Sequence, residues 1–126
     1  MEKQIINTTN APAPIGPYNQ AVRVGDLLFV SGQIPLDTAS GELVNTGIQD
    51  ETEKVMENLA AILKEAGMDF SNVVKSNIFL TDMKQFAEMN EVYGKYFPTD
   101  APARECVQVA ALPKFVNVEI SVIAAK

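Results

Sequence analysis

The order of strand-like and helical patterns predicts an α+β fold, β-β-β-α-β-α-β-β, with both helices on one face of a single β-sheet. Two amphipathic helical stretches are interleaved with six short strand-like runs, and two helices cannot cover both faces of so wide a sheet. The other face must be solvated or buried against another chain. At 126 residues and 47% hydrophobic content, the chain is expected to form one domain, residues 1–126, with a substantial core.

Gln4–Asn7 reads as a short edge strand. The following Asn10-Ala11-Pro12-Ala13-Pro14-Ile15-Gly16-Pro17 is too proline-rich for helix or sheet interior. Tyr18–Val24 and Leu27–Ser31 read as strands joined by Gly25-Asp26, whose leading glycine suits a type II′ hairpin. Gly32-Gln33-Ile34-Pro35 is expected to break the second of them, and Asp37–Asn45 to form a loop.

Ile48–Ala66 is the clearest helix. Ile48, Thr52, Val55, Met56, Leu59, Ile62, Leu63 and Ala66 fall on one arc at the helical period, opposite Glu53, Lys54, Glu57, Lys64 and Glu65. Gly67 supplies a left-handed cap. Val73–Leu80 is rich in β-branched residues and reads as a strand. Thr81-Asp82 is expected to start a second helix, with Gln85 completing a capping box and Pro98 ending the helix after about Phe97. Arg104–Val109 and Val116–Ile123 complete the strands, separated by a turn at Leu112-Pro113-Lys114.

The composition excludes several chemistries. With no histidine and a single cysteine, Cys106, the chain can form neither a Ser-His-Asp triad nor a Cys-His dyad, and it lacks the usual zinc ligands. No metal and no cofactor are expected. The net charge of −6 disfavours nucleic acid and anionic membranes as partners, since both call for a basic face. One unpaired cysteine and an N-terminus without an apolar run point to a reducing, cytoplasmic setting. Phosphate-binding glycine loops, C-x-x-C and G-x-S-x-G are absent.

Alternation along the last two strands selects the candidate residues. Val116, Val118, Ile120 and Val122 share one face; Asn117, Glu119 and Ser121 share the other. In the preceding strand Val107 and Val109 oppose Arg104, Cys106 and Gln108. If both valine faces meet the helices, Arg104, Cys106 and Glu119 project together from the helix-free face of neighbouring strands. That makes either an anion site or a surface ion pair, and the residues alone leave both open. Cys106 lacks a base to deprotonate it and reads as a small hydrophobe. Asn90 falls within the inward arc Met83, Phe86, Asn90, Tyr93, Phe97, where a buried amide needs partners. It bonds nearby backbone or orients a loop or ligand. Ser31-Gly32 follows a strand, where glycine serves a turn or admits a close ligand.

Four blocks carry a resemblance. Ala11-Pro12-Ala13-Pro14-Ile15-Gly16-Pro17-Tyr18, Val30-Ser31-Gly32-Gln33-Ile34-Pro35 and Asn77-Ile78-Phe79-Leu80-Thr81-Asp82-Met83 occur in order. They precede Pro102-Ala103-Arg104-Glu105-Cys106-Val107 with Leu112-Pro113 and Val118-Glu119-Ile120. Together they resemble the reactive intermediate deaminase (Rid) family, also called the YjgF/YER057c/UK114 family. The resemblance implies a chorismate-mutase-like domain, with two helices packed on one face of a mixed, mainly antiparallel sheet. It implies a homotrimer with clefts between subunits, and metal-free hydrolysis of 2-imino acids, such as 2-iminobutanoate and 2-iminopropanoate, to 2-keto acids and ammonia. These imines arise from pyridoxal-phosphate enzymes. Carried over, Arg104 holds the substrate carboxylate with help from the Gly32 N–H. Glu119 and the Cys106 backbone carbonyl hold the attacking water, and Tyr18, Ser31 and Asn90 line or support the cleft. Glu105 departs from the serine of many relatives; alternation turns it away from Arg104. The alternative is a non-catalytic trimer that binds small carboxylates in the same cleft.

Overall fold

The computed structural model describes residues 1–126. Its elements run β1 (Lys3–Ile6), β2 (Ala21–Val24), β3 (Leu27–Gln33), α1 (Ile48–Glu65), β4 (Val73–Leu80), α2 (Phe86–Gly94), β5 (Ala103–Gln108) and β6 (Val118–Ala125). The predicted order of strands and helices is the observed one. The six strands form one mixed sheet in the order β1-β2-β3-β6-β4-β5, antiparallel throughout except for the parallel β4–β5 pair at one edge.

The two-residue turn Gly25-Asp26 joins β2 to β3, with Gly25 at φ 59°. A positive φ at the first turn position matches the twist of the flanking strands and strains any residue with a Cβ. Beyond it, β3 does not stop at Ser31 as expected. It passes through Gly32 to Gln33 across a bulge between Val30 and Gln33, because pairing with β6 resumes at Ile120. β2 starts at Ala21 rather than Tyr18, since Pro17 and the folded-back N-terminal segment hold residues 18–20 out of the ladder.

The face of α1 deduced from periodicity lies against the sheet. Val55, Met56, Leu59, Ile62 and Leu63 are fully buried with Leu28, Ile78, Leu80, Val118 and Ile120. The alternation is as read from the start of β6: Val118, Ile120, Val122 and Ala124 point to the helices, and Glu119, Ser121 and Ile123 point away. Asn117, expected on the Glu119 face, instead lies before β6 and turns to α1, its Nδ2 donating to the buried Glu51 carboxylate at 3.0 and 3.2 Å. The far face carries Phe29 and Val107, each 43% exposed, and Val74 at 48%. No helix is long and apolar enough to cross a membrane.

The second helix departs from expectation. Met83–Gln85 is a 3₁₀ turn, and α2 proper spans Phe86–Gly94. Asp82 accepts from the Lys84 N–H, but the capping box does not close, and the Gln85 Oε1 is buried without a hydrogen-bond partner. Residues up to Phe97 continue in tighter turns, with the Lys95, Tyr96 and Phe97 N–H groups donating to carbonyls three residues back.

Leu59 is wholly enclosed between α1 and the sheet. Leu59→Ala is expected to lower unfolding free energy by roughly 2–5 kcal/mol, the usual cost of an unfilled leucine cavity, read from urea denaturation.

Candidate active site

The sequence-predicted residues gather in two places. Tyr18, Ser31, Gly32, Ile34, Pro113 and Glu119 line a cleft of about 360 Å³ where the bulge of β3 meets the start of β6. The bulge brings the backbone at Gly32 against the Glu119 side chain. A Cβ at Gly32 would lie 2.8 Å from the Glu119 Cδ and 3.0 Å from its Oε2. A side chain here would push the Glu119 carboxyl aside, so the close approach relies on the glycine. Ser31 is pinned by its Oγ donating to the Asn19 carbonyl at 2.6 Å and its N–H donating to the Gln20 carbonyl at 2.9 Å. The Tyr18 hydroxyl accepts from the Ile15 N–H at 3.4 Å, so Tyr18 folds back on the proline-rich segment.

Glu119 forms none of the chain's ion pairs. Partial burial pushes its carboxyl above the ordinary glutamate value, and no neighbouring cation offsets the shift. Such a carboxyl takes and returns a proton closer to neutrality than an exposed one.

Arg104 lies elsewhere, which corrects the expectation that it projects from the helix-free face beside Glu119. On β5 it pairs laterally with Ser76, and Cys106 pairs with Ile78; both partners are buried beneath the helices. Paired residues share a face, so Arg104 and Cys106 are on the helix side. Glu105 and Val107 point the other way. The valines of β5 thus do not mark its core face, because β5 is an edge strand whose outer side carries apolar side chains. β5 and β6 are not neighbours either, since β4 separates them. Two inter-strand steps of about 4.8 Å, opposite faces and a three-residue offset along the sheet keep Arg104 and Glu119 of one chain from meeting.

The Arg104 setting is built by α2. Its Nη1 donates to the Asn90 Oδ1 at 2.6 Å. Its guanidinium carbon stands 5.1 Å from the Tyr93 ring centroid and 5.4 Å from that of Phe86, within cation–π range. Phe86, Asn90 and Tyr93 recur at helical spacing on one side of α2, and the Tyr93 hydroxyl is tied to the Ser76 Oγ at 2.9 Å. Burial pushes the Tyr93 hydroxyl pKa up, which keeps it neutral. Asn90 is therefore neither a backbone-bonding core amide nor a stray polar group: it accepts from the arginine. No carboxylate pairs with Arg104, and Glu105 instead bridges to Lys75 at 3.0 Å. The guanidinium is thus held by a neutral acceptor and two ring faces, with its charge uncompensated and hydrogen-bonding capacity to spare.

Burial also raises the Cys106 thiol pKa, which the nearby Arg104 only partly counters, so the thiol is poorly suited to act as a thiolate. Its backbone is better placed. The Val109 N–H donates inward to the Leu80 carbonyl at 2.8 Å. Backbone groups alternate along a strand, which turns the Cys106 carbonyl, three residues earlier, toward the open edge of β5. Sequence reasoning missed Phe86 and Tyr93 as the shelf beneath Arg104, although their spacing around Asn90 signalled it. It also missed Gln20, whose role depends on tertiary contacts. No cluster of three or more His, Cys, Asp or Glu residues could hold a metal ion.

The sequence profile of the endoribonuclease L-PSP family matches residues 8–126, nearly the whole chain. This chain belongs to that family. A RutC family protein of Pyrococcus horikoshii is 51% identical over 124 residues, covering 98% of each chain. The mouse protein named 2-iminobutanoate/2-iminopropanoate deaminase is 50% identical over 122 residues, covering 97% of this chain and 90% of its own. The crystal structure of E. coli TdcF with bound serine is 43% identical, covers 98% of each chain and superposes with a TM-score of 0.93. The chain thus matches these relatives over 90% or more of their own lengths, and its fold matches that of the E. coli protein.

A carboxyl whose pKa is raised in the folded state binds its proton more tightly there than when unfolded. Its contribution to stability is fully present below the unfolded pKa, near 4.5, and is lost as pH rises through the higher folded value. Glu119→Gln is therefore expected to be more stable than the parent at pH 7, with the gap closing toward pH 4. Urea midpoints at the two pH values check this.

Proposed function

We propose that this protein hydrolyses small 2-imino acids to 2-keto acids and ammonia, using Arg104 as the carboxylate clamp and Glu119 as the proton-transferring group. The observation that carries the reading is the uncompensated guanidinium of Arg104, oriented by Asn90 and shelved on two rings at an open sheet edge. A planar fork fixed in this way suits two-point recognition of a carboxylate, which lysine cannot reproduce. The deaminase name of the mouse relative supports the reaction.

The reaction makes modest demands. Water oxygen bonds to the imine carbon, the carbon–nitrogen bond then breaks, and nitrogen leaves as ammonia while the carbonyl forms. Glu119 accepts a proton from the attacking water and returns it to the departing nitrogen, a task its raised pKa suits. The outward carbonyl of Cys106 helps hold that water. The Gly32 backbone beside Glu119, with Tyr18 and Ser31, shapes the cleft around the reacting carbon.

One chain keeps the clamp and the carboxyl apart, so the reading includes a homotrimer in which Arg104 of one copy faces the Glu119 cleft of the next. A cyclic, head-to-tail contact brings unlike surfaces together and closes after three steps. The partly exposed Phe29, Val74 and Val107 on the helix-free face supply apolar area for such a contact. The family's ribonuclease description finds little support in a net charge of −6.

The second reading is a trimer that binds small carboxylates without turnover; the serine bound in the E. coli relative favours it. Turnover separates the two. With 2-aminocrotonate generated in situ by threonine dehydratase, ammonia release is expected to accelerate with this protein and to fall to the uncatalysed rate with Arg104→Ala. Unchanged acceleration by that variant sinks the reading. Glu119→Ala is expected to cut kcat by about 10²–10³ with a smaller change in KM, measured by keto-acid release; a loss confined to KM counts against proton transfer.

A further inference from the structure

Asn90 by itself does not orient the guanidinium. The bond from the Arg104 Nη1 to the Asn90 Oδ1 fixes one corner of a planar group and leaves it free to pivot there. Recognition of a carboxylate at two points requires the plane to be set as well. That plane is set by what lies against its faces. The Tyr93 ring centroid stands 5.1 Å from the guanidinium carbon and the Phe86 centroid 5.4 Å.

The two rings are not equivalent. Tyr93 is 5% exposed, whereas Phe86 is only partly buried. The Tyr93 hydroxyl donates to the Oγ of Ser76, which is wholly enclosed and level with Arg104 across the parallel β4–β5 pair. The tyrosine is thus fastened to the strand that sets the register of β5. Its ring also packs on Phe97 at 4.8 Å, and Phe97 meets Phe70 edge-on at 5.4 Å. Displacing the Tyr93 ring breaks a buried hydrogen bond or opens this aromatic stack. Phe86 has no polar end to be tied in the same way.

We propose that Tyr93 is a positioning residue for anion binding: its ring, moored to Ser76, sets the plane of the Arg104 guanidinium before a ligand arrives. The inference rests on the reading of Arg104 as a carboxylate clamp and adds that the clamp is ordered in advance. An ordered guanidinium loses little freedom when a carboxylate docks. A mobile one gives up the freedom of a long side chain, which weakens binding by up to about tenfold. A carboxylate in place of the ring would orient the arginine too, but it would also neutralise it. The face of an aromatic ring orients the cation and leaves its N–H groups free.

The test compares the full-length parent with Tyr93→Leu and Tyr93→Phe. Calorimetry with 2-oxobutanoate gives Kd, and nitrogen relaxation of the Arg104 Nε–H gives the order of the guanidinium. The chain has only two arginines, Arg23 and Arg104, so the signal is readily assigned. Tyr93→Leu is expected to raise Kd about tenfold and to drop the Arg104 order parameter below about 0.6, the range of flexible groups. Tyr93→Phe keeps the ring and loses only the tie to Ser76. It is expected to stay within about threefold of the parent in Kd and to keep the arginine ordered, a rescue that general loosening of α2 would not give. Leucine binding as well as the parent, or phenylalanine failing as badly as leucine, overturns the inference while the carboxylate reading stands. Should the leucine variant not fold, the parent decides alone: an Arg104 order parameter already below about 0.6 without ligand overturns the inference, and a higher one upholds it. Failure of the parent to bind 2-oxobutanoate overturns the carboxylate reading and this inference with it.

Discussion

β5 pairs parallel to the outer side of β4, and the disposition of charge follows from that pairing. It sets Arg104 level with Ser76, on the side of the sheet that α2 covers, while β6 on the other side of β4 sets Glu119 level with Phe79 on the opposite face. Had β5 formed a hairpin with β6, the two side chains could have met as an ion pair, and the guanidinium would have been neutralised within its own chain. Their separation leaves an oriented cation at one sheet edge and a carboxyl of raised pKa in a cleft elsewhere. In the proposed reading each is half of a site for a small anion and water.

Local devices keep each half in place. Asn90 offers a neutral oxygen that directs the guanidinium without cancelling its charge, and the rings of Phe86 and Tyr93 provide a face on which it rests. On the other side, the missing side chain at Gly32 lets the backbone lie beside the carboxyl, which a Cβ would push aside. The arm before β2 is tied to the same region through Gln20, whose buried amide bonds Thr8, Ala11 and Pro12. Strand pairing and one buried amide thus converge on the ends of β3 and β6, while the side chains of α2 serve the separate half on β5.

Where the sequence pattern was strong, the structure follows it closely. Val73–Leu80 is the strand read from its β-branched residues, and α1 differs by one residue at its end, because 18 residues of helical period leave little ambiguity. The face of β6 was legible for the same reason. β5 misled because it is short and at an edge. Val107 is 43% exposed, so its apolar character says nothing of the core, and Arg104 reaches the helix side by lying over aromatic rings. The spacing of Phe86, Asn90 and Tyr93 was visible but could not name its partner. Gln20 gave no local signal, since its partners follow from how a proline-rich arm folds back.

The sequence by itself determined the family, the order of elements, the buried side of α1 and β6, and a chemistry without histidine, because these rest on residue type, short-range periodicity and blocks that are contiguous along the chain. Only the tertiary structure decided which strand lies between β5 and β6, which face Arg104 takes, and what holds it. Those outcomes depend on non-local pairing, where a change of neighbour moves a side chain by several ångströms or to the other face, and the period-two pattern of an edge strand carries no information about which side its neighbours will cover.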